Sequence, residues 1–348
     1  MIFASDNWAG AAPEVMDAVV RANGGMTPAY GADPLSAKVE KRFCEIFERD
    51  VAVFFVGTGG ASNCLALSVM SPPYGMILCH EDSHVQKDEC AGPEFFTGGA
   101  KLMPLRGFAG KLAPETIEKA YAGFPVRGTN GAPPRVLSLT QANECGVVYT
   151  PAELSALCDF AHRRGLLVHM DGARFANALV SLDCSPADIT WKVGVDALCL
   201  GGTKNGCFAA ESVIFFDKAR AADFLYRRKR AGHLWSKQRF IAAQFDAYFE
   251  DGLWLRLARH ANMMARQLSE GLAAIDGVKI WYPTEANEVF ASFPGEAAQK
   301  LRDKGAAFHS WVTPSDPAEG RLNRLICSFA TKAEDVDTFL AAARTACR

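Results

Sequence analysis

Val195-Asp196-Ala197-Leu198-Cys199-Leu200-Gly201-Gly202-Thr203-Lys204-Asn205-Gly206 sets the reading of the whole chain. An apolar run ends in a glycine-flanked loop that carries one lysine. Such a run reads as a strand buried on both faces, as in a parallel sheet. Lys204 is then either a surface lysine on a turn or a buried amine that forms a Schiff base with an aldehyde cofactor. Lysine suits the second role because desolvation makes it lose its proton readily.

Upstream, Leu166-Leu167-Val168-His169-Met170-Asp171-Gly172-Ala173-Arg174 raises the odds of that second role. It is an apolar strand ending in an acid, with an arginine three residues on. The end of a parallel strand faces the crevice where open α/β sheets bind ligands. The plain alternative is a loop-capping Asp and a solvated Arg. Pyridoxal phosphate (PLP) chemistry needs this set: a Schiff-base lysine and an Asp or Arg partner for the pyridinium nitrogen.

Working outward, strands and helices alternate. Val51-Ala52-Val53-Phe54-Phe55-Val56 is a buried strand, followed by Gly57-Thr58-Gly59-Gly60-Ala61-Ser62-Asn63 and a helix. A strand, a glycine loop and a helix start make a phosphate cradle. A tight turn explains the loop equally well. It also fits part of a dinucleotide fingerprint, with Ser62 where the third glycine belongs and Glu81 as the acid. Met76 to Cys79 is a strand leading to His80, His84 and Glu89. No His-Glu-x-x-His pattern occurs there, so no metal is assigned. His84 is either a hydrogen-bonded structural residue or a base lying on a cofactor ring. Val136 to Leu139 is a strand with Gln141 at its carboxyl end. Thr150-Pro151-Ala152-Glu153 predicts a capped helix start, and Ser185-Pro186-Ala187-Asp188 another. Tyr226-Arg227-Arg228-Lys229-Arg230 reads as a solvated helix face.

These elements predict an α/β fold, a mostly parallel sheet flanked by helices with its strands' carboxyl ends on one edge. After Val278 short strands mix with helices, which predicts a small α+β C-terminal domain. The expected division is residues 1–250 and 251–348. Arg324, opening the last strand, is either an exposed edge residue or a carboxylate clamp.

The 348 residues are 49% hydrophobic and 22% charged, the balance of a globular protein in water. A net charge of -2 gives no hint of nucleic-acid binding. The 11 cysteines are scattered without a Cys-x-x-Cys pair, as expected of reduced thiols. No apolar run is long enough to span a membrane and the first residues do not read as a signal peptide, so a cytoplasmic enzyme is expected.

With these motifs assembled, the sequence resembles the low-specificity L-threonine aldolases, PLP enzymes of the aspartate-aminotransferase fold (fold type I). The resemblance rests on Phe3-Ala4-Ser5-Asp6-Asn7, Ala29-Tyr30-Gly31-Ala32-Asp33, Cys79-His80-Glu81-Asp82-Ser83-His84, His169-Met170-Asp171-Gly172-Ala173-Arg174 and Gly201-Gly202-Thr203-Lys204-Asn205-Gly206. It implies retro-aldol cleavage of β-hydroxy-α-amino acids to glycine and an aldehyde. Lys204 would be the Schiff-base lysine, Asp171 would pair with the ring nitrogen and Arg174 with the ring hydroxyl. His84 would stack on the ring and move the hydroxyl proton. Thr58, Gly59 and Gly60, with Ser62, would hold the phosphate, and Gln141 would join the cofactor site. Ser5 and Arg324 would hold the substrate carboxylate, and Glu89 would position a water. Tyr30 and an arginine such as Arg228 would reach in from a neighbouring subunit of a homodimer or homotetramer. The resemblance also implies a second active-site histidine before Val136; that loop has none, and Asn130 is the nearest match.

Other readings stay open: a β-eliminating lyase or aminotransferase on the same scaffold, a nicotinamide-dependent oxidoreductase using the Gly57 loop, or a silent scaffold.

Overall fold

The computed structural model describes residues 1–123, 128–312 and 321–348. Seven strands form the main sheet: β1 (Ala52–Val56), β2 (Met76–His80), β3 (Lys101–Leu105), β4 (Pro134–Thr140), β5 (Leu167–Gly172), β6 (Ala197–Gly201) and β7 (Glu211–Phe215). Their order is β1-β7-β6-β5-β4-β2-β3. All neighbours are parallel except around β7, which runs antiparallel to both β6 and β1. The two reversals cancel, so β1 points the same way as β6. The carboxyl ends of β1, β2, β4, β5 and β6 therefore share one edge, as expected. The reversed β7 brings its first residue, Glu211, to that edge opposite Gly201 and Val56.

Side chains alternate across the sheet with the period of two that strand geometry imposes. Leu198 and Leu200 enter one core, with Met170 and Phe55, while Ala197 and Cys199 enter another, with Val213 and Ile77. Helices cover both faces. The chain runs through α1 (Pro13–Ala22), α2 (Pro34–Ile46), α3 (Gly59–Met70), α4 (His84–Lys87), α5 (Gly92–Thr97), α6 (Pro114–Gly123), α7 (Pro151–Arg163), α8 (Phe175–Leu182), α9 (Phe224–Arg230) and α10 (Arg239–Phe249). Helices α7, α8 and α10 pack on the first core through Leu154, Phe175 and Phe245; α3 and α9 pack on the second through Leu65 and Phe224.

The start of α7 has the geometry its sequence predicts. Thr150 Oγ1 accepts from Glu153 N–H, and Glu153 reaches back to Thr150 N–H at 2.7 Å. Ser185 forms a capping box too, but it opens only a 3-10 turn, Pro186–Ile189, rather than a helix. The helix of this region is α8, directly after Arg174.

Beyond α11 (Leu253–Ala273), a four-stranded antiparallel sheet of order β10-β11-β9-β8 is built from β8 (Lys279–Ile280), β9 (Glu288–Ser292), β10 (His309–Ser310) and β11 (Leu322–Ile326), with α12 (Ala297–Asp303) and α13 (Ala333–Ala346). Its core includes Phe3. Phe3 N–H donates to Ala307 O and Ile326 N–H to Phe3 O, so the first residues are stitched to the small sheet. Arg324 sits inside β11 rather than opening it. Among the described residues no helix is long and apolar enough to cross a membrane.

Candidate active site

A cavity of about 570 Å³ opens at the shared sheet edge, between the main sheet and β11. It is within the range of small-molecule sites. Ser5, Thr58, Gly59, Gly60, His84, Asp171, Arg174, Lys204 and Arg324 all line it. The sequence scatters these residues over more than three hundred positions; the parallel topology gathers them.

Lys204 lies in a 3-10 turn, Thr203–Asn205, just after β6. Gly206 closes that turn at φ +108°, a conformation L side chains resist. Lys204 is half-buried. Among the described residues its amine has no hydrogen-bond or ion-pair partner. Asp171, next to the end of β5, accepts from Ala173 N–H at 2.9 Å and from Asn63 Nδ2 at 2.7 Å. Burial alone would raise its carboxyl; His84, the Ala173 N–H, Lys204 and Asn63 outweigh this and hold it below its ordinary value. It is a buried carboxylate that stays charged.

Asn63 also donates to Glu89 Oε1 at 2.8 Å, and the same oxygen meets His84 Nδ1 at 2.8 Å. Glu89 raises the His84 pKa, against the effect of burial. With Nδ1 committed to Glu89, Nε2 is the ring atom left for a ligand. His84, Glu89 and Asp171 come close enough to suggest a cation site. The Asn63 amide hydrogens already bridge the two carboxylates. His80 is structural: Nδ1 accepts from Asp82 N–H, so Nε2 donates to Gly107 O.

The glycine loop opens α3. Thr58 caps it by accepting from Ala61 N–H. The N–H groups of Gly59 and Gly60 belong to the first turn, where a helix has no carbonyl to use them. Gly57 is needed for another reason: a Cβ there would lie 2.4 Å from Trp235 Cζ2. That close packing accounts for Gly57 without a dinucleotide. Glu81 pairs with Arg106 at 3.3 Å and is not among the residues that line the cavity.

A free amine, a charged buried carboxylate and an unsatisfied helix start are the donor set that a pyridoxal phosphate needs: an amine for the aldehyde, an anion for the ring nitrogen and N–H donors for the phosphate. The residues fit the group.

The profile of the family described as beta-eliminating lyase matches residues 3–294. The chain belongs to that family. It is 44% identical to the low specificity L-threonine aldolase of a Pseudomonas species, over 95% of this chain and 93% of that one. The protein of the same name from Pseudomonas aeruginosa is 44% identical over 96% and 94%. The solved structure of Leishmania major threonine aldolase superposes with a TM-score of 0.92 at 26% identity, covering 100% of this chain and 99% of that one.

In this lyase several expected contacts take another form. The Arg174 fork is already engaged by Asp6, with Nε to Oδ2 at 2.8 Å and Nη2 to Oδ1 at 3.1 Å, and by Glu288 at 3.4 Å. Gln141 faces away from the cavity, its amide satisfied at both ends by the Tyr149 backbone; its neighbours Thr140 and Ala142 line the site instead. Ser62 is buried, its hydroxyl donating to Gly59 O. Asn130 belongs to a 3-10 turn on a different surface, beside Tyr74. Arg228 is buried, donating to Phe55 O and Gln238 Oε1, and with Tyr30 lines a separate cavity of its own chain. Ser5 caps the adjacent 3-10 turn by accepting from Asn7 N–H. Arg324 lies 3.9 Å over the Trp311 ring, with Nη1 3.9 Å from Glu288.

Three acids escaped the sequence reading. Glu144 and Glu211 line the cavity, and burial pushes each up to about 7. Glu288, fully buried, has no hydrogen-bond donor on either oxygen among the described residues and balances Arg174 and Arg324 by charge.

Proposed function

We propose that this cavity cleaves L-threonine, L-allo-threonine and related β-hydroxy-α-amino acids reversibly to glycine and an aldehyde, with pyridoxal 5'-phosphate as cofactor. The observation that carries the reading is the Lys204 amine, without a partner among the described residues, sharing one cavity with the charged Asp171 carboxylate. The names of the 44% identical relatives point the same way.

When bound, PLP supplies an electron sink for the bond that breaks. Lys204 would hold it by its amine, Asp171 at the ring nitrogen, and Thr58 with the first N–H groups of α3 at the phosphate. Arg324 offers the substrate carboxylate a planar fork, steadied on Trp311, with Ser5 beside it. Holding the carboxylate would fix the orientation of the bonds at Cα, and such orientation would supply much of the catalysis. His84, fixed through Glu89, presents Nε2 to the substrate face.

Residues 1–250 and 251–348 act as large and small domains, with the first residues joining the small one. Tyr30 is exposed, with Lys229 5.0 Å from its ring, and we assign this face to a neighbouring subunit of a homodimer or homotetramer. Eleven free thiols suit the reducing cytoplasm.

Two measurements test the reading. Adding L-threonine to the holoenzyme changes its cofactor absorbance and releases acetaldehyde and glycine; ammonia or a keto acid in place of aldehyde would indicate elimination or transamination. Lys204→Ala brings aldehyde release to background, and a variant that kept its rate would refute the assignment. For the assembly, mixing Lys204→Ala with Tyr30→Ala chains restores activity if sites are shared.

A further inference from the structure

Glu144 follows β4 on an irregular segment and enters the cavity beside His84. Its Oε1 accepts two hydrogen bonds, from His84 N–H at 2.7 Å and from the Thr140 hydroxyl at 3.1 Å. Its Oε2 is shielded from solvent and has no partner among the described residues. A buried carboxylate oxygen without a donor is costly, and it is satisfied only by a proton or by a ligand's donor group.

Of the other acids at the site, Asp88 is exposed and the rest are already committed. Asp171 is held by Asn63 and Ala173, and Glu89 by Asn63, His84 and Cys64. Glu211 accepts weakly from Thr203 N–H and turns its other oxygen toward Gly59 and Gly201, at the cradle end. Glu144 alone, among the described buried acids here, has one oxygen anchored, on the His84 side, and the other unclaimed. Because Oε1 spends its lone pairs on two donors, a proton on Glu144 resides on Oε2.

We propose that Glu144 Oε2 is the catalytic base that takes the substrate's β-hydroxyl proton during cleavage and returns it as an acid in the reverse direction. This rests on the aldolase reading above. The hydroxyl proton passes to Oε2, and the O–H electron pair becomes the second C–O bond of the aldehyde. The Cα–Cβ bond breaks, its electron pair remaining on the Cα side until a proton joins Cα to give glycine. One proton leaves the hydroxyl and one arrives at Cα, so no oxidant or reductant is needed. Burial and the Asp171 charge tune the group for this exchange, pushing it up to about 7.

The test separates the hydroxyl step from the rest of the chemistry. Glu144→Gln keeps an oxygen acceptor for His84 N–H and Thr140 but cannot carry the proton. Aldehyde release from L-threonine and deuterium exchange at Cα of glycine, which has no hydroxyl, are measured on the holoenzyme, and pyridoxal phosphate affinity by fluorescence titration of the apoprotein. The expected result is a loss of about 100-fold or more in cleavage, the general range for proton transfer by a placed side chain. Glycine exchange and cofactor affinity stay within about threefold, and Glu144→Asp recovers part of the cleavage rate. Equal loss of cleavage and exchange would make Glu144 a mere prop for His84 and overturn the proposal, as would unchanged cleavage. Failure of the aldolase reading shows differently: the wild type itself would release no aldehyde, and the proposal would fall with it.

Discussion

Asn63 Nδ2 lies 2.7 Å from Asp171 Oδ2, and that single amide is what lets a buried carboxylate sit close to another acid. Its second hydrogen serves Glu89 at 2.8 Å, so one side chain neutralises the facing sides of both. Asn63→Leu leaves the two carboxylates facing each other without a donor between them. Losing a hydrogen bond to a buried charged group costs about 1–3 kcal/mol. Asp171 then favours its proton and no longer offers a full charge to a ring nitrogen. Pyridoxal phosphate affinity, measured by fluorescence titration of the apoprotein, falls about tenfold or more. An unchanged affinity would show that His84, Ala173 and Lys204 suffice to hold Asp171.

The Asp6–Arg174 pair ties the first residues of the chain to the turn between β5 and α8. Burial would raise the Asp6 carboxyl, but Arg174, Lys204 and Asn287 more than offset this and hold it below its ordinary 3.8. A lowered folded-state value means that the stability it contributes is fully present above the unfolded value and is lost as pH falls through and below about 3.8. Asp6→Ala costs roughly 3 kcal/mol at neutral pH, near the low end for breaking a buried pair because Glu288 still faces Arg174. Urea denaturation at pH 7 and at pH 3 checks both parts: the gap between wild type and variant narrows at the lower pH.

Thr150→Ala removes one half of the capping box on α7, well away from the cavity. An N-cap substitution of this kind costs about 1 kcal/mol. The melting temperature drops by about 2 °C, while kcat/KM for L-threonine stays at the wild-type value. Loss of activity here would mean that α7 is coupled to the site through β4 and β5.

Much of the fold was legible because it rests on local signals. The apolar runs of β1, β5 and β6, the Thr150 cap and the glycines after them mark their own boundaries. The register of Asp171 and the loop of Lys204 follow directly. What was hidden depends on pairing between distant segments. Nothing in Glu211-Ser212-Val213-Ile214-Phe215 announces that β7 runs backwards, yet that reversal alone puts Glu211 at the site. Gln141 was misjudged by one residue: the chain turns just after β4, so Thr140 and Ala142 face the cavity and Gln141 faces Tyr149. Ser185 carries a complete capping box and still opens only a 3-10 turn, since a cap satisfies donors but supplies no apolar face to extend a helix. Glu288 reads as a polar residue at a strand start, and its burial between two arginines appears only once the small sheet folds over the large one.

Arg324 offers the sharpest test of substrate recognition. Its guanidinium lies 3.9 Å over Trp311, and its Nε is buried without a partner among the described residues, so the fork is held in place with donor capacity to spare. A carboxylate accepts two parallel bonds from such a fork. Arg324→Lys keeps the positive charge but offers one flexible ammonium and loses the stacked plane. The lost bond is worth about 1.5–3 kcal/mol, so KM for L-threonine rises about 10- to 100-fold. Ligands without a carboxylate report on everything else: 1-amino-2-propanol has the amine and hydroxyl of the substrate but no acid. Its binding, followed by the change in cofactor absorbance, is the same in the variant and the wild type. If the amino alcohol weakens as much as the amino acid, Arg324 shapes the cavity rather than reading the carboxylate, and the clamp must be sought elsewhere.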